Sequence, residues 1–245
     1  MADLSGKTVV VVGGTSGMGL GSVRAALAAG AAQVIVAGRR SAEIRVAELP
    51  AAKVQQASLD LMDESSIQSL FKNVAALDHL LVTASPPAAP GPFLAQRFRD
   101  AESFMRGKFF GSWLCAHHAA PIIRPGGSIT FLTGAASIRP TVGSSMVTAT
   151  FAALEALTQA LAVELGPLRV NAIRPGVIDS DMWNFLDDEA RERLRKRVRE
   201  TFPVRRVGSI EDIGHAALFL MTNPYVTGTI LEVTGGEPFA EPLKF

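Results

Sequence analysis

Tyrosine is nearly missing from this 245-residue chain: there is one, Tyr225, in Asn223-Pro224-Tyr225-Val226-Thr227-Gly228 near the end. That excludes a phenol as proton carrier anywhere before it. Cysteine is equally scarce, and the single Cys115 excludes an intrachain disulfide framework, so a reducing, cytoplasmic setting is expected. A dominant charge sign is lacking too. The formal net charge of +1 offers phosphate polymers no general attraction, so no nucleic-acid partner is expected. No run approaches the roughly 18 uninterrupted apolar residues of a membrane span. The apolar stretch Thr8 to Val12 is too short for a signal peptide and enters a glycine turn, so neither membrane insertion nor secretion is expected. No His, Cys or carboxylate cluster has metal-ligand spacing, and no metal is expected.

What is present is apolar. With 48% hydrophobic and 19% charged residues, the chain has enough to bury a sizeable core, and one compact domain over residues 1–245 is the expectation. Short apolar runs alternate with helix-length segments. Thr8 to Val12, Gln33 to Ala37, Lys53 to Gln56, His79 to Thr83, Ser128 to Thr133, Arg169 to Ile173 and Ile230 to Val233 read as strands. Several are apolar on both faces, as buried parallel strands are. Repeated strand-helix-strand units of this kind predict an α/β fold: a Rossmann-type, doubly wound parallel sheet with helices on both faces. The segment Ser85-Pro86-Pro87-Ala88-Ala89-Pro90-Gly91-Pro92 follows a strand and reads as a stiff, ligand-facing loop rather than a linker.

The strongest local pattern is Gly13-Gly14-Thr15-Ser16-Gly17-Met18-Gly19, between the first strand and a helix expected from about Gly19 to Ala29. Glycines there permit a tight turn and let backbone N–H groups approach a pyrophosphate, which a helix N-terminus favours electrostatically. The strand before and helix after make this a dinucleotide site rather than a merely structural turn. About twenty residues on, an NAD site presents a carboxylate to the adenosine ribose. Here the second strand ends in Ala37-Gly38-Arg39-Arg40. Two guanidinium groups suit a 2′-phosphate, so NADP(H) is the expected cofactor; two solvated arginines are the alternative.

With these residues in view, the chain resembles the short-chain dehydrogenase/reductase family along nearly its whole length. The family's opening Thr-Gly-x-x-x-Gly-x-Gly is matched by Val12-Gly13-Gly14-Thr15-Ser16-Gly17-Met18-Gly19, with valine for threonine. Its acidic adenine contact falls on Asp60, followed by Leu61. Its Asn-Asn-Ala-Gly falls on Val82-Thr83-Ala84-Ser85. Its Asn-x-x-x-Pro-Gly-x-x-x-Thr segment falls on Asn171 to Ser180, which assigns Pro175, Gly176, Val177, Ile178 and Ser180 to the cofactor's nicotinamide side. The resemblance also implies a small-molecule substrate and a homotetramer or homodimer, with helices near Ser103 to Ala120 and Ser144 to Leu165 as interface elements.

The departures fall where the family's chemistry lies. There a serine orients the carbonyl, a tyrosine passes the proton, and a lysine lowers the tyrosine's pKa and holds the ribose. In this chain those positions fall on Gly134, Val147 and Phe151, and the supporting asparagine on Lys108. Losing a general acid typically costs about 10²- to 10⁴-fold, whereas positioning two reactants contributes roughly 7 to 11 kcal/mol. Hydride transfer therefore survives with an acceptor that needs little acid help, such as a quinone, an iminium or a conjugated alkene. Lys108, amid Phe104, Phe109 and Phe110, and Thr133, at a strand end, are the candidate catalytic residues. Burial would depress the lysine's pKa, while snorkelling to water is its ordinary alternative; Thr133 reads equally well as a strand residue satisfying backbone. The expectation is an NADP(H)-dependent oxidoreductase acting on a small apolar or activated substrate by an atypical proton route. The alternative is a redox-silent NADP(H)-binding sensor or assembly subunit.

Residues 180–206 read as a substrate lid. Its acids, Asp187, Asp188 and Glu189, precede its arginines, which suits a helix dipole and is read first as a solvated face. Ser209-Ile210-Glu211-Asp212 resembles a capping box.

Overall fold

The computed structural model describes residues 2–39, 49–88, 90–184 and 186–240. Seven strands form one sheet in the order β3-β2-β1-β4-β5-β6-β7: β1 Thr8–Val12, β2 Gln33–Gly38, β3 Val54–Ser58, β4 Leu77–Val82, β5 Ile123–Leu132, β6 Arg169–Pro175 and β7 Ile230–Val233. Every neighbouring pair is parallel. Successive strand residues point to opposite faces, which divides the apolar runs between two cores. Val9 and Val11 pack with α1 (Gly17–Ala28) and α7 (Ile210–Thr222). Val10 and Val12 pack with α2 (Glu64–Lys72), α4 (Gly111–Ala119) and α5 (Ser145–Glu164). The expected doubly wound sheet is the observed one.

Local chemistry explains where elements meet. The helices α1 and α7 cross at two glycines: a Cβ on Gly214 would lie 2.5 Å from Gly21 O, so backbone meets backbone there. Ser209 caps α7 reciprocally with Asp212, the capping box expected. The expected strand at Ser128 extends back to Ile123, and its pairing with β4 shifts register between Leu77 and His79. That irregularity coincides with Pro125-Gly126-Gly127, where Gly126 takes φ +83°.

The single helix expected near Ser103 to Ala120 is longer and not uniform. It begins as α3 (Phe98–Met105), widens into a π turn at Arg106–Phe110, and continues as α4. Glycines stand on both sides of Lys108, Gly107 within the widened turn and Gly111 at the start of α4. A Cβ on Gly107 would meet Met62 Sδ at 2.9 Å, and one on Gly111 would meet Leu61 O at 2.7 Å. The turn therefore presses directly on the loop after β3. Single-turn π segments frequently occur at functional sites.

Candidate active site

The strand order reverses between β1 and β4, and sheets of this kind bind ligands in the crevice outside the carboxyl ends of the strands at that point. Gly13 and Gly17 have φ +90° and +50°, which glycine alone adopts without strain. A Cβ on Gly13 would stand 2.5 Å from Ala84 N, and one on Gly19 would stand 2.6 Å from Thr83 Oγ1. Thr83 Oγ1 donates to Val12 O at 3.0 Å and Ala84 N to the same carbonyl at 3.1 Å. Thus the ends of β1 and β4 are stitched beneath the glycine turn. Ser16 occupies the N-cap of α1 without a side-chain cap bond, and the first turn carries no acid. Such a helix end is open to an anion.

The other expected cofactor residues surround this turn unevenly. Thr15 lies beside Gly38 at the end of β2, and Arg39 is exposed just beyond. Arg40 lies outside the described residues. Met18 packs into the core beneath the turn. Asp60 follows β3, half-buried, and its Oδ1 accepts from Met62 N at 2.9 Å. Leu61 is buried against the π turn. Ser85 turns its hydroxyl to Pro86 O at 3.1 Å. Pro175 ends β6, and Gly176, Val177 and Ile178 continue from it as buried residues. Ser180 stands opposite Gly17, with a buried hydroxyl that has no hydrogen-bond partner among the described residues. A buried hydroxyl left unpaired costs about 1–3 kcal/mol, and this one faces the crevice's glycine turn.

Where the resemblance assigns serine, tyrosine and lysine, hydrocarbon is packed instead. A Cβ on Gly134 would meet the Phe151 ring at 2.7 Å, so the ring fills the serine's space. Phe151 packs edge-on to Phe104 at a centroid distance of 6.2 Å. Val147 lines a cavity of about 120 Å³ with Gln96, Arg97, Asp100, Phe104 and Met146. The proline-rich loop borders this cavity, with Gly91 N bonded to Gly143 O at 3.1 Å, and beyond the loop Ser145 Oγ donates to Gln96 Oε1 at 3.1 Å. Tyr225, 98% exposed, adjoins Val226, whose carbonyl accepts from residues at the start of β6. It therefore lies toward the amino end of β6, away from the carboxyl-end crevice, and its side chain is almost wholly in solvent.

The two candidate catalytic residues are placed differently. Lys108 is 2% exposed and does not snorkel; its Nζ donates to Ala84 O at 3.1 Å. Burial pushes the amine down to about 7, slightly opposed by Cys115, whose thiol burial pushes up to about 12. Thr133 Oγ1 lies 2.9 Å from Glu155 Oε1 and 3.2 Å from Ile173 O, both acceptors for its single proton. Its hydroxyl is held inside a network. Glu155 also accepts from Ser137 Oγ at 2.7 Å and from Arg174 Nε and Nη2 at 3.0 and 2.7 Å, while Arg174 Nη1 reaches Glu232 at 2.6 Å.

Sequence reasoning missed that network and also Glu237. The carboxyl Oε2 of Glu237 is buried without a partner among the described residues, next to Gly176, and burial pushes the group up to about 7 against the opposing Arg139 charge. Arg139 itself donates to the carbonyls of Glu237 and Ala240. The loops after β5, β6 and β7 converge there, and no local motif announces such a meeting.

The segment expected to act as a lid folds around a small core of its own. Trp183 Nε1 donates to Ile178 O at 2.9 Å, and Trp183 and Leu186 pack with Val177, Leu194, Val198 and Phe202. The helix α6 (Asp188–Thr201) pairs its bases with nearby acids: Arg193 with Glu189, Arg199 with Glu192, and Arg195 with Asp179. These pairs support the solvated-face reading over recognition of an anion.

A parallel sheet with a glycine turn at its reversal crevice defines a Rossmann-type dinucleotide-binding protein. Comparison with known proteins narrows the class. A family model described as enoyl-(acyl carrier protein) reductase matches residues 12–237. The short-chain dehydrogenase/reductase fsr5 of Gibberella fujikuroi is 28% identical over 257 residues, with 96% of each chain covered. A solved small-chain dehydrogenase in complex with NADPH is 33% identical, covers 94% of this chain and 97% of its own, and superposes with a TM-score of 0.80. The MalC reductase/Diels-Alderase of Malbranchea aurantiaca is 27% identical, with 96% and 98% covered and a TM-score of 0.88. The chain belongs to the short-chain dehydrogenase/reductase family.

Proposed function

We propose that this chain is an NADP(H)-dependent oxidoreductase that moves a hydride to or from a small apolar or activated substrate, by a proton route that bypasses serine, tyrosine and lysine. The observation that carries the reading is the contrast within one crevice. The anion-ready turn and the unpartnered Ser180 hydroxyl are kept, whereas Phe151 and Val147 wall the relay positions with hydrocarbon. A dinucleotide fits: Gly13 to Gly19 receive the pyrophosphate, Arg39 and Arg40 the 2′-phosphate, and Ser180 the nicotinamide amide. Bound there, the nicotinamide supplies or accepts the hydride. The solved NADPH complex among its relatives supports the cofactor assignment. Lys108 serves the proton route, Thr133 holds the end of β5, and residues 180–206 cover the substrate. A redox-silent NADP(H)-binding sensor or assembly subunit is the second reading, favoured by the fully filled relay positions.

Turnover separates these readings. Loss of reduced-nicotinamide absorbance is to be followed with quinones, iminium ions, enones and ordinary ketones, after binding is established by titration. Consumption with an activated acceptor is the expected result; tight binding with no turnover across the panel would establish the sensor reading. Arg39→Ala is expected to weaken NADPH about 10- to 100-fold, the worth of a lost charge-assisted contact, with little change for NADH. Equal losses for both would remove the 2′-phosphate assignment.

The assembly proposed is a homotetramer or homodimer in the cytoplasm. Among the described residues α5 is the helix long and apolar enough to cross a membrane by length and composition, yet the buried Glu155–Arg174 pair ties it to the sheet. Its exposed stripe of Ala149, Ala152, Ala156, Ala160 and Val163 suits close packing against a copy. Light scattering that returned a monomer mass would sink this assignment.

A further inference from the structure

The π turn encloses a lysine amine at the wall of the crevice. Lys108 Nζ donates to Ala84 O, and the N–H side of the same residue packs against Gly13 of the phosphate-ready turn. One residue of β4's extension therefore separates the amine from the glycine turn. A charged lysine offers three donors and a neutral one offers two; Ala84 O is the single acceptor bonded to Nζ among the described residues. Among the described residues, the surroundings give an ammonium no counter-charge. From α4 comes Cys115, neutral because burial holds its thiol up to about 12. The loop after β3 packs Leu61 and Met62 against the π turn, while its carboxylate, Asp60, is bonded back to Met62 N. The carboxylate of α5, Glu155, is turned to Arg174. Arg106, on the π turn itself, adds charge of the same sign.

We propose that Lys108 is a positioning residue for the cofactor, and that its amine takes up one proton from solvent as NADP(H) binds. The inference rests on the dinucleotide reading above. Solvent or buffer gives up the proton, Nζ gains it, and no other bond changes. A nearby negative charge favours the charged form of an amine, and phosphates received at the glycine turn, one residue away through Ala84, supply the counter-charge that the described residues withhold. Two consequences follow. Cofactor affinity falls as pH rises above neutrality, by up to about tenfold per pH unit. Lys108 also carries its proton in the same complex that carries the hydride, so above neutrality acid and hydride arrive together.

The test is calorimetric titration of NADPH at about pH 8, in phosphate and in Tris, whose ionisation heats differ. Wild-type protein is expected to show a buffer-dependent heat corresponding to nearly one proton taken up per site. Lys108→Met, and Lys108→Gln, which keeps a donor for Ala84 O without a titratable amine, are expected to bind with buffer-independent heat. Buffer-independent binding by the wild type overturns the inference, as does undiminished uptake in a folded variant, which would move the proton elsewhere, Glu237 first. Absence of NADPH binding by the wild type would instead sink the dinucleotide reading itself.

Discussion

Replacing Glu155 with alanine is expected to cost about 3–5 kcal/mol in chemical denaturation, the usual penalty for breaking a buried pair from one side. Four donor contacts converge on this carboxylate, from Thr133, Ser137 and both the Nε and Nη2 of Arg174. Truncation leaves half a guanidinium without its acceptor and returns the two hydroxyls to their backbone acceptors alone, Thr133 to Ile173 O and Ser137 to Gly134 O. Arg174 keeps Glu232, which is more exposed, so its charge is not orphaned altogether. Removing both partners, as Glu155→Leu with Arg174→Met, is expected to recover most of the loss, because a buried ion pair often does no better than well-packed hydrocarbon. If Glu155→Ala costs less than about 1 kcal/mol, solvent reaches the pair and the network does not fix the strand ends. The functional readout separates as well. Thr133→Val is expected to lower stability by about 1 kcal/mol and leave turnover intact, since its hydroxyl is committed to this network rather than to a substrate.

The legibility of this molecule follows the range of its interactions. The strands β1 and β7 begin and end at the residues expected, because β-branched, doubly apolar runs bounded by turns are local signals. The glycine turn was legible for the same reason: its spacing, preceding strand and following helix lie within one short segment. The π turn was not. Its widening depends on Gly107 and Gly111 meeting Met62 and Leu61, far away in the chain. Nor was the complementarity of Gly134 and Phe151 legible. An alignment to family positions shows two substitutions, whereas the fold shows one ring occupying the space of the absent side chain. The Thr133–Glu155–Arg174–Glu232 network draws on β5, α5, β6 and β7, and only parallel pairing in register brings those residues together. Thr133 was singled out by its position at a strand end, which is where catalytic side chains sit and equally where a hydroxyl closes off a sheet.

That pairing of filled relay positions also constrains any attempt to restore the family's chemistry. A serine at position 134 meets the Phe151 ring, so Gly134→Ser alone adds a clash and no function. Phe151→Lys must come first, and it empties the space against Phe104 while bringing a second amine toward the wall that Lys108 occupies. Like charges in a buried site disfavour each other's ionisation. The chain's lysine at 108 and its phenylalanine at 151 are therefore coupled choices, and the single replacements are expected to be worse than either matched pair.

Lys108→Met is expected to raise stability at neutral pH while weakening function. The amine's folded pKa lies at about 7, below the unfolded value of about 10.4. Between those values the unfolded chain holds a proton that the folded chain does not, so wild-type stability rises with pH through that window; it is lower by up to about 5 kcal/mol once pH falls below the folded pKa. Methionine removes the titrating group at similar length, and the cost is Ala84 O left without its donor, about 1–3 kcal/mol. The burial penalty wins. A net gain of about 2 kcal/mol or more is expected at pH 7, shrinking and then reversing toward pH 10 as the wild type sheds its penalty. Denaturation midpoints measured across that range check it. A variant that is uniformly less stable, with the same pH slope as the wild type, would mean that Lys108 stays charged inside the fold. A residue that lowers the free protein's stability by more than one ordinary substitution is retained more readily for what it does in the crevice than for what it does in the core.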